Sequence, residues 1–556
     1  MVKMRRLLVV GASVVALAAP VVLAGTGRAG AVQTPIVEND RQVTASPNPE
    51  RLYLSPQIAV DPKDPNTLAI FVGDARNGGC GLFESHDGGL SWAQTTATVM
   101  PDDKPFCVQR NFGPAYALHY ASNGNLYIGV DGSSPTDTPN GPITGLVATA
   151  DELGLTHKTY VSAVVQPFTN TLADGTPNNG FDQWREPSLA VDPHNPQKLY
   201  MGWRLWYTSP SFAGLPERAY ISTSDDGGRT WSAPADVLRN AIDDAAASSL
   251  NINFSGKNNL NTDVPMLVVG PDGTAYAFIK EQAPRAATGQ PPNKNRIFML
   301  KSTDGVKTWK FSVASPGFVS LGIPDPVIAP NGDIYVVYDS RGNHVNATGQ
   351  SDEASNSYFI KSTDKGNSWS QPVDLIDSRV RKTTNDYMPG ISVAPNGRID
   401  VAWFDFRDDP FYTPGPTTGM GSSANQRYGD VYYTYSTDNG TTWAPNMRLT
   451  DRSSDYKIGA TFANSDIRGP MGVASANYAA FVTWPDSRAS QSSGDAEDAY
   501  MTRVRFSAAP AATSKGSASA GTKTLWAVLG AAIALVVVGL ILNIVGRRRR
   551  DATATT

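Results

Sequence analysis

An aspartate and an arginine recur two residues apart after the second strand of four repeat units: Asp74-Ala75-Arg76, Asp339-Ser340-Arg341, Asp405-Phe406-Arg407 and Asp486-Ser487-Arg488. Trp203-Arg204 occupies the equivalent place in a fifth stretch. More charged residues lead into proline-headed apolar strands: Arg110, Asp182, Arg185, Glu186, Asp263, Asp325, Asp386, Asp466 and Arg468. A guanidinium fork grips a carboxylate, a carboxyl group moves protons, and an aromatic ring stacks on a sugar face. Gathered on one surface, such groups suit an anionic glycan. Repeated in register, they suit equally well ion pairs that stitch neighbouring sheets. Residues that break the repeat are the better candidates for chemistry, namely Arg185-Glu186, and Arg427-Tyr428 after the long stretch 408–426.

Those residues fall at the ends of a repeating strand pattern. Units open with a proline and an alternating apolar strand, as in Pro56-Gln57-Ile58-Ala59-Val60, Pro187-Ser188-Leu189-Ala190-Val191 and Pro389-Gly390-Ile391-Ser392-Val393. Pro-Asn-Gly or Pro-Asp-Gly turns follow at 271–273, 330–332 and 395–397, then a second strand rich in Tyr and Trp. An eight-residue turn, S-x-D-x-G-x-x-W, joins the third and fourth strands at 85–92, 224–231, 362–369 and 436–443. Residues 302–309 read as a slipped copy with the glycine one place early, and 149–154 as a worn one. In such a turn the Asp and Ser oxygens take N–H groups, glycine supplies φ > 0 and the tryptophan folds back on the sheet. Four strands per unit and seven units predict an all-β fold, a β-propeller of seven four-stranded blades. The seventh unit lacks a fourth strand. Residues 35–40 resemble the outer strands at 372–377 and 446–451, so the N-terminal segment is expected to close the ring there.

The turn resembles the Asp-box, or BNR repeat, of sialidases and related propellers, and the likeness covers nearly all of residues 32–506. A sialidase-like site would need three arginines on a substrate carboxylate, an acid–base aspartate, and a tyrosine made nucleophilic by a glutamate. On this chain the resemblance implies Tyr428 as nucleophile, Glu186 as its partner and Asp74 as the acid–base group. Ligand-binding residues would come from Arg110, Arg185, Arg341, Arg407, Arg427, Arg468, Arg488 and Trp203. Two departures stand out. Sialidases place Arg-Ile-Pro at the entrance to the first blade, where this chain has Leu54-Ser55-Pro56 with Arg51 displaced, and they have six blades rather than seven. The resemblance therefore implies a binding module for glycans or another extracellular ligand, an exo-glycoside hydrolase, or an assembly factor for envelope proteins.

Both ends read as targeting segments. Lys3, Arg5 and Arg6 precede an apolar run and a small-residue site, which predicts a secretory signal at 1–31. Residues 32–507 form the propeller and 508–523 a flexible stalk rich in Ala, Ser, Gly and Thr. Residues 524–546 carry no charge and, at ~1.5 Å per residue, are long enough for a membrane span. The tail 547–556 begins with four arginines, so the large segment is expected outside and the tail in the cytoplasm. The formal net charge is −4, but residues 32–522 carry 38 basic and 50 acidic residues, a net of −12, and a surface that acidic makes nucleic acid a poor partner. Cys80 and Cys107 are the only cysteines, and in an oxidising compartment they are expected to pair. No cofactor is expected, although Asp408-Asp409 could take calcium. Phosphate-loop, zinc-protease and serine-hydrolase motifs do not occur.

Overall fold

The computed structural model describes residues 34–44, 53–74, 79–94, 118–131, 143–148, 160–166, 182–207, 218–238, 261–282, 296–315, 319–320, 322–341, 355–377, 385–411, 427–455, 471–488 and 497–507. The predicted signal peptide, stalk, membrane span and basic tail lie outside these residues, as does the worn turn at 149–154. Among the described residues no helix is long and apolar enough to cross a membrane.

The chain folds as an all-β propeller of antiparallel sheets, seven of them among the described residues. Sheet 1 runs outward through Tyr53–Val60, Leu68–Asp74, Gly79–Ser85 and Ala93–Gln94. Sheet 2 comprises Leu118–Tyr120, Leu126–Asp131, Ile143–Ala148 and Tyr160–Gln166, and sheet 3 comprises Asp182–Val191, Leu199–Tyr207, Arg218–Ser224 and Ala235–Asp236. Sheet 4 is built on Met266–Val269, Ala275–Gln282, Ile297–Ser302 and Lys310–Ser315, and sheet 5 on Asp325–Ile328, Ile334–Arg341, Ser355–Ser362 and Val373–Asp374. Sheet 6 holds Asp386–Val393, Ile399–Asp405, Tyr428–Ser436 and Met447–Arg448. Sheet 7 holds Gly472–Ser475, Ala479–Asp486 and Asp498–Arg505, and its outer strand is the N-terminal Ile36–Val37. The innermost strand of each sheet touches that of the next, and sheet 7 touches sheet 1. These strands surround a cavity of about 280 Å³ at the axis.

The N-terminal segment is held by more than its two-residue strand. Glu38 takes Arg503 Nη2 at 2.9 Å and Arg505 Nε at 3.0 Å. Gln42 and Thr44 each donate to Asp498 at 2.8 Å.

The eight-residue turns explain how sheets meet. In the turn of sheet 6, Asp438 Oδ1 accepts the N–H groups of Thr441 and Thr442, and Oδ2 accepts the Thr442 hydroxyl at 2.7 Å. Ser436 Oγ accepts Gly440 N–H at 2.9 Å and donates to Asp438. Asn439 and Gly440 have φ of 57° and 71°, the left-handed region that glycine enters without strain. A Cβ on Gly440 would meet the Phe359 ring of sheet 5, on which Trp443 stands edge-on at 4.9 Å. Gly366 abuts Met299 of sheet 4 in the same manner. The turn is thus the clamp by which a sheet grips its predecessor.

The copy at 302–309 corrects the slipped reading. Its hydrogen bonds keep the register of the others: Ser302 Oγ accepts Val306 N–H at 2.9 Å, and Asp304 accepts Lys307 and Thr308. Val306 simply occupies the glycine position, at φ 62°. A β-branched residue there costs of order 1–3 kcal/mol.

Candidate functional site

The second strand of a sheet ends where the third begins, and the third runs back to the Asp-box turn. The D-x-R residues therefore sit at the opposite end of the strands from the turns. In sheets 6 and 7 the motif is W-x-D-x-R, and each copy folds on itself. Asp405 accepts Trp403 Nε1 at 3.0 Å, Arg407 N–H at 2.8 Å and Arg407 Nη2 at 2.6 Å. Asp486 accepts Trp484 Nε1 at 2.9 Å, Arg488 N–H at 2.8 Å and Arg488 Nη2 at 2.7 Å. Each guanidinium lies over a tyrosine of the third strand, Arg407 over Tyr432 at 4.0 Å and Arg488 over Tyr500 at 4.5 Å. Arg488 also meets Asp40 at 2.9 Å and Asp451 at 2.5 Å, tying the N-terminal segment and sheet 6 to sheet 7. Its carboxylate neighbours raise its pKa against the opposing effect of burial.

Arg427 is an accessible guanidinium. It is 42% exposed, and Asp455 Oδ2 accepts its Nε at 3.0 Å and Nη2 at 2.9 Å. Its N–H donates to Asp409 at 2.6 Å, and Asp409 also takes Phe411 N–H. This fixes Phe411, 58% exposed, with its ring tilted against Tyr428 at 5.8 Å. The Arg427 guanidinium lies 5.0 Å from the Tyr428 ring and 5.8 Å from that of Phe411. Beside it, Asp408 accepts the Tyr432 hydroxyl at 2.6 Å, and Arg448 reaches Asp430 at 2.7 Å.

Buried carboxyl groups lie at the same end of the sheets. Asp325 lines the axial cavity and accepts one N–H, from Ile391 at 2.9 Å. Burial pushes its pKa up to about 7 against that bond. Asp386 accepts the Ser357 hydroxyl, while its Oδ2 is buried without a partner among the described residues. Burial first, and then the charge of Asp405, hold it well above the usual carboxylate range. Asp339 accepts Gly322 N–H at 2.6 Å and is likewise raised by burial, against that bond and the Lys280 charge. On the adjacent sheet 4, Asp263 takes Arg204 at 2.8 Å and Lys280 at 3.3 Å.

Of the residues named from sequence, the structure brings Arg427 and Tyr428 together and sets Arg407 and Arg488 in separate clasps. Trp203 is fully buried, stacked on Tyr220 at 6.3 Å. Arg185 and Glu186 lie in the first strand of sheet 3, and Tyr428 opens the third strand of sheet 6, so they stand on non-adjacent sheets. Asp74, Cys80 and Arg341 belong to strands whose backbone is described while their side chains are not; Arg110, Arg468 and Cys107 lie outside the described residues. Asp408 and Asp409 face different partners, and among the described residues no group of three or more His, Cys, Asp or Glu is arranged to hold a metal. Sequence reading missed Phe411, Asp455 and Arg448. Phe411 could have been marked as an aromatic just after the acidic pair, whereas nothing in the sequence ties Asp455 to Arg427.

Comparison with known proteins agrees with the Asp-box resemblance. A family model described as BNR repeat-containing family member matches residues 319–480, from sheet 5 into sheet 7. No curated protein matches the sequence. Among solved structures, the chain is similar to the Hadza microbial sialidase Hz136 at 14% identity and a TM-score of 0.40, over 79% of this chain and 76% of that one. It is similar to an α-L-arabinanase of Penicillium chrysogenum at 13% identity and 0.41, over 75% and 100%. The intramolecular trans-sialidase of Ruminococcus gnavus follows at 10% and 0.40, over 71% and 95%.

Proposed function

We propose that this chain is a sialidase-like propeller that binds glycans, or another extracellular ligand, through the face opposite its Asp-box turns. The observation that carries the reading is the Phe411–Tyr428–Arg427 platform. It offers exposed aromatic surface for the C–H face of a sugar and an anchored guanidinium for its oxygens. The seven sheets are read as seven blades of one ring closed by the N-terminal segment; the circular order of strand contacts and the Glu38–Arg503 pair support this. The uncharged stretch 524–546 and the four arginines after it support a single-pass anchor with the propeller outside. A Cys80–Cys107 disulfide belongs to the same reading, and a mass spectrum of unreduced protein tests it.

The binding test is a glycan array probed with the full chain and with Phe411→Ala and Arg427→Ala. Binding that each change weakens at least tenfold supports the platform; binding that both leave intact overturns it. The hydrolase reading keeps one observation in its favour. Asp325 is a carboxyl group beside the axial cavity whose burial pushes its pKa up to about 7, the range that suits a general acid. Turnover of a fluorogenic sialoside, abolished by Tyr428→Phe and by Asp325→Asn, would establish it. Glycan binding without turnover leaves the binding module.

A further inference from the structure

A second cavity, of about 470 Å³, lies at the seam between sheets 3 and 4 on the Asp-box side. Its apolar walls include Ile221, Ala235, Val306 and Trp309, and Lys198 and Lys307 stand on its rim. Two departures from the repeat produce it. At the next two seams the turn glycine meets a long side chain of the preceding sheet, Gly366 on Met299 and Gly440 on Phe359. Met299 and Phe359 each stand three residues before their own turn serine, and in sheet 3 that position is the shorter Ile221. Opposite it, the glycine is replaced by Val306, which holds φ 62°. A β-branched residue persists in that region only where its surroundings impose it, and such outliers gather at binding sites. Val306 packs on the cluster that contains Ile221 and Trp309, and the cavity remains beside it.

The rim divides its charges unevenly. Lys198 is engaged by Asp225 at 2.6 Å. Asp304 is occupied by its own turn. Lys307 is exposed, and its ammonium has no partner among the described residues. The volume falls within the range of pockets that hold small ligands, and the lining is mixed, with Thr223, Ser232, Asp225 and Asp304 beside the apolar residues.

We propose that this seam binds a small molecule with a flat apolar body and one anionic group, the body between Ile221, Val306 and Trp309 and the anion on Lys307. The site is separate from the platform on the other face and does not depend on what that face binds. Titration calorimetry of the full chain with naphthalene-2-sulfonate tests it. One equivalent should bind. Lys307→Ala should weaken binding about tenfold, and Ala235→Phe, which fills the cavity beside Ile221, should weaken it more than tenfold. Phe411→Ala should leave it unchanged. Failure of the native chain to bind the probe overturns the proposal, and so does a dissociation constant that Lys307→Ala does not alter. A melting curve for Ala235→Phe separates a filled cavity from a misfolded chain.

Discussion

On the Asp-box side, Asp226, Asp304, Asp364 and Asp438 sit at the surface, and their pKa values are about 2. The leading cause in each is bonding from the residue four places on, a hydroxyl from Thr230, Thr308 or Ser368 and the N–H of Thr442 for Asp438. At the other end of the sheets, burial raises Asp325, Asp339 and Asp386. One side chain is therefore held ionised by local donors at one face and pressed towards its neutral form at the other. The difference lies in where the donors come from. Turn donors are supplied within eight residues and need no tertiary partner, whereas a buried carboxyl depends on whatever the neighbouring sheet brings.

The largest expected difference concerns ion pairs. Arg488 is 7% exposed and serves Asp486, Asp40 and Asp451 at once. Arg488→Ala leaves buried carboxylates uncompensated and should cost about 3–5 kcal/mol. Lys365–Asp272, between exposed groups on the turn side, should contribute only about 0–1 kcal/mol, read from Lys365→Ala. Urea denaturation of the two variants checks this; equal losses would mean that the faces do not differ in the way described.

The pH dependence of stability should separate the faces next. Asp325 is raised, so the folded state holds its proton more tightly than the unfolded chain does. Its contribution to stability is present below pH 4 and is lost as pH rises through about 7. The turn aspartates are lowered, so their contribution is present above pH 4 and is lost as pH falls towards 2. Asp325→Asn should remove a decline of a few kcal/mol between pH 4 and pH 7, at about 1.4 kcal/mol per pH unit, and leave the profile below pH 4 as it was. An unchanged slope between pH 4 and pH 7 would show that Asp325 is ionised without penalty.

A smaller effect is expected at the turn itself. Asp438→Ala removes four hydrogen bonds, three of them exposed, and should cost roughly 1–2 kcal/mol in thermal melts, with little change in ligand binding at the far face.

What could be read from sequence follows the same division. The turns were legible because serine, aspartate and glycine act on their own neighbours, and the outer strand of sheet 7 because residues 35–40 carry an outer-strand pattern that pairs Ile36 with Arg505. Arg488 gave no sign of its three carboxylates, since Asp40 and Asp451 reach it only after the strands have assembled. Nor could the D-x-R repeats be sorted. Asp405-Phe406-Arg407 closes on itself because Trp403 supplies a third member, whereas in Asp339-Ser340-Arg341 the residue two before the aspartate is Val337.

The smallest effect is expected where the two arguments meet, at Val306. Changing it to glycine restores the turn consensus and relieves a left-handed β-branched residue, a gain of about 1–2 kcal/mol. The same change removes an apolar side chain from the Ile221–Trp309 cluster, a loss of about 1–2 kcal/mol for a partly buried valine. The two should cancel to within about 1 kcal/mol. In the turn of sheet 6 no such cancellation is available, because Phe359 already fills the space a side chain would need. Equilibrium unfolding of Val306→Gly measures the balance directly. A gain well above 1 kcal/mol would mean that Val306 is retained against stability, as a residue serving the neighbouring cavity would be. A loss of that size would make it an ordinary filler of the seam, and the strain at φ 62° would then need no further reason.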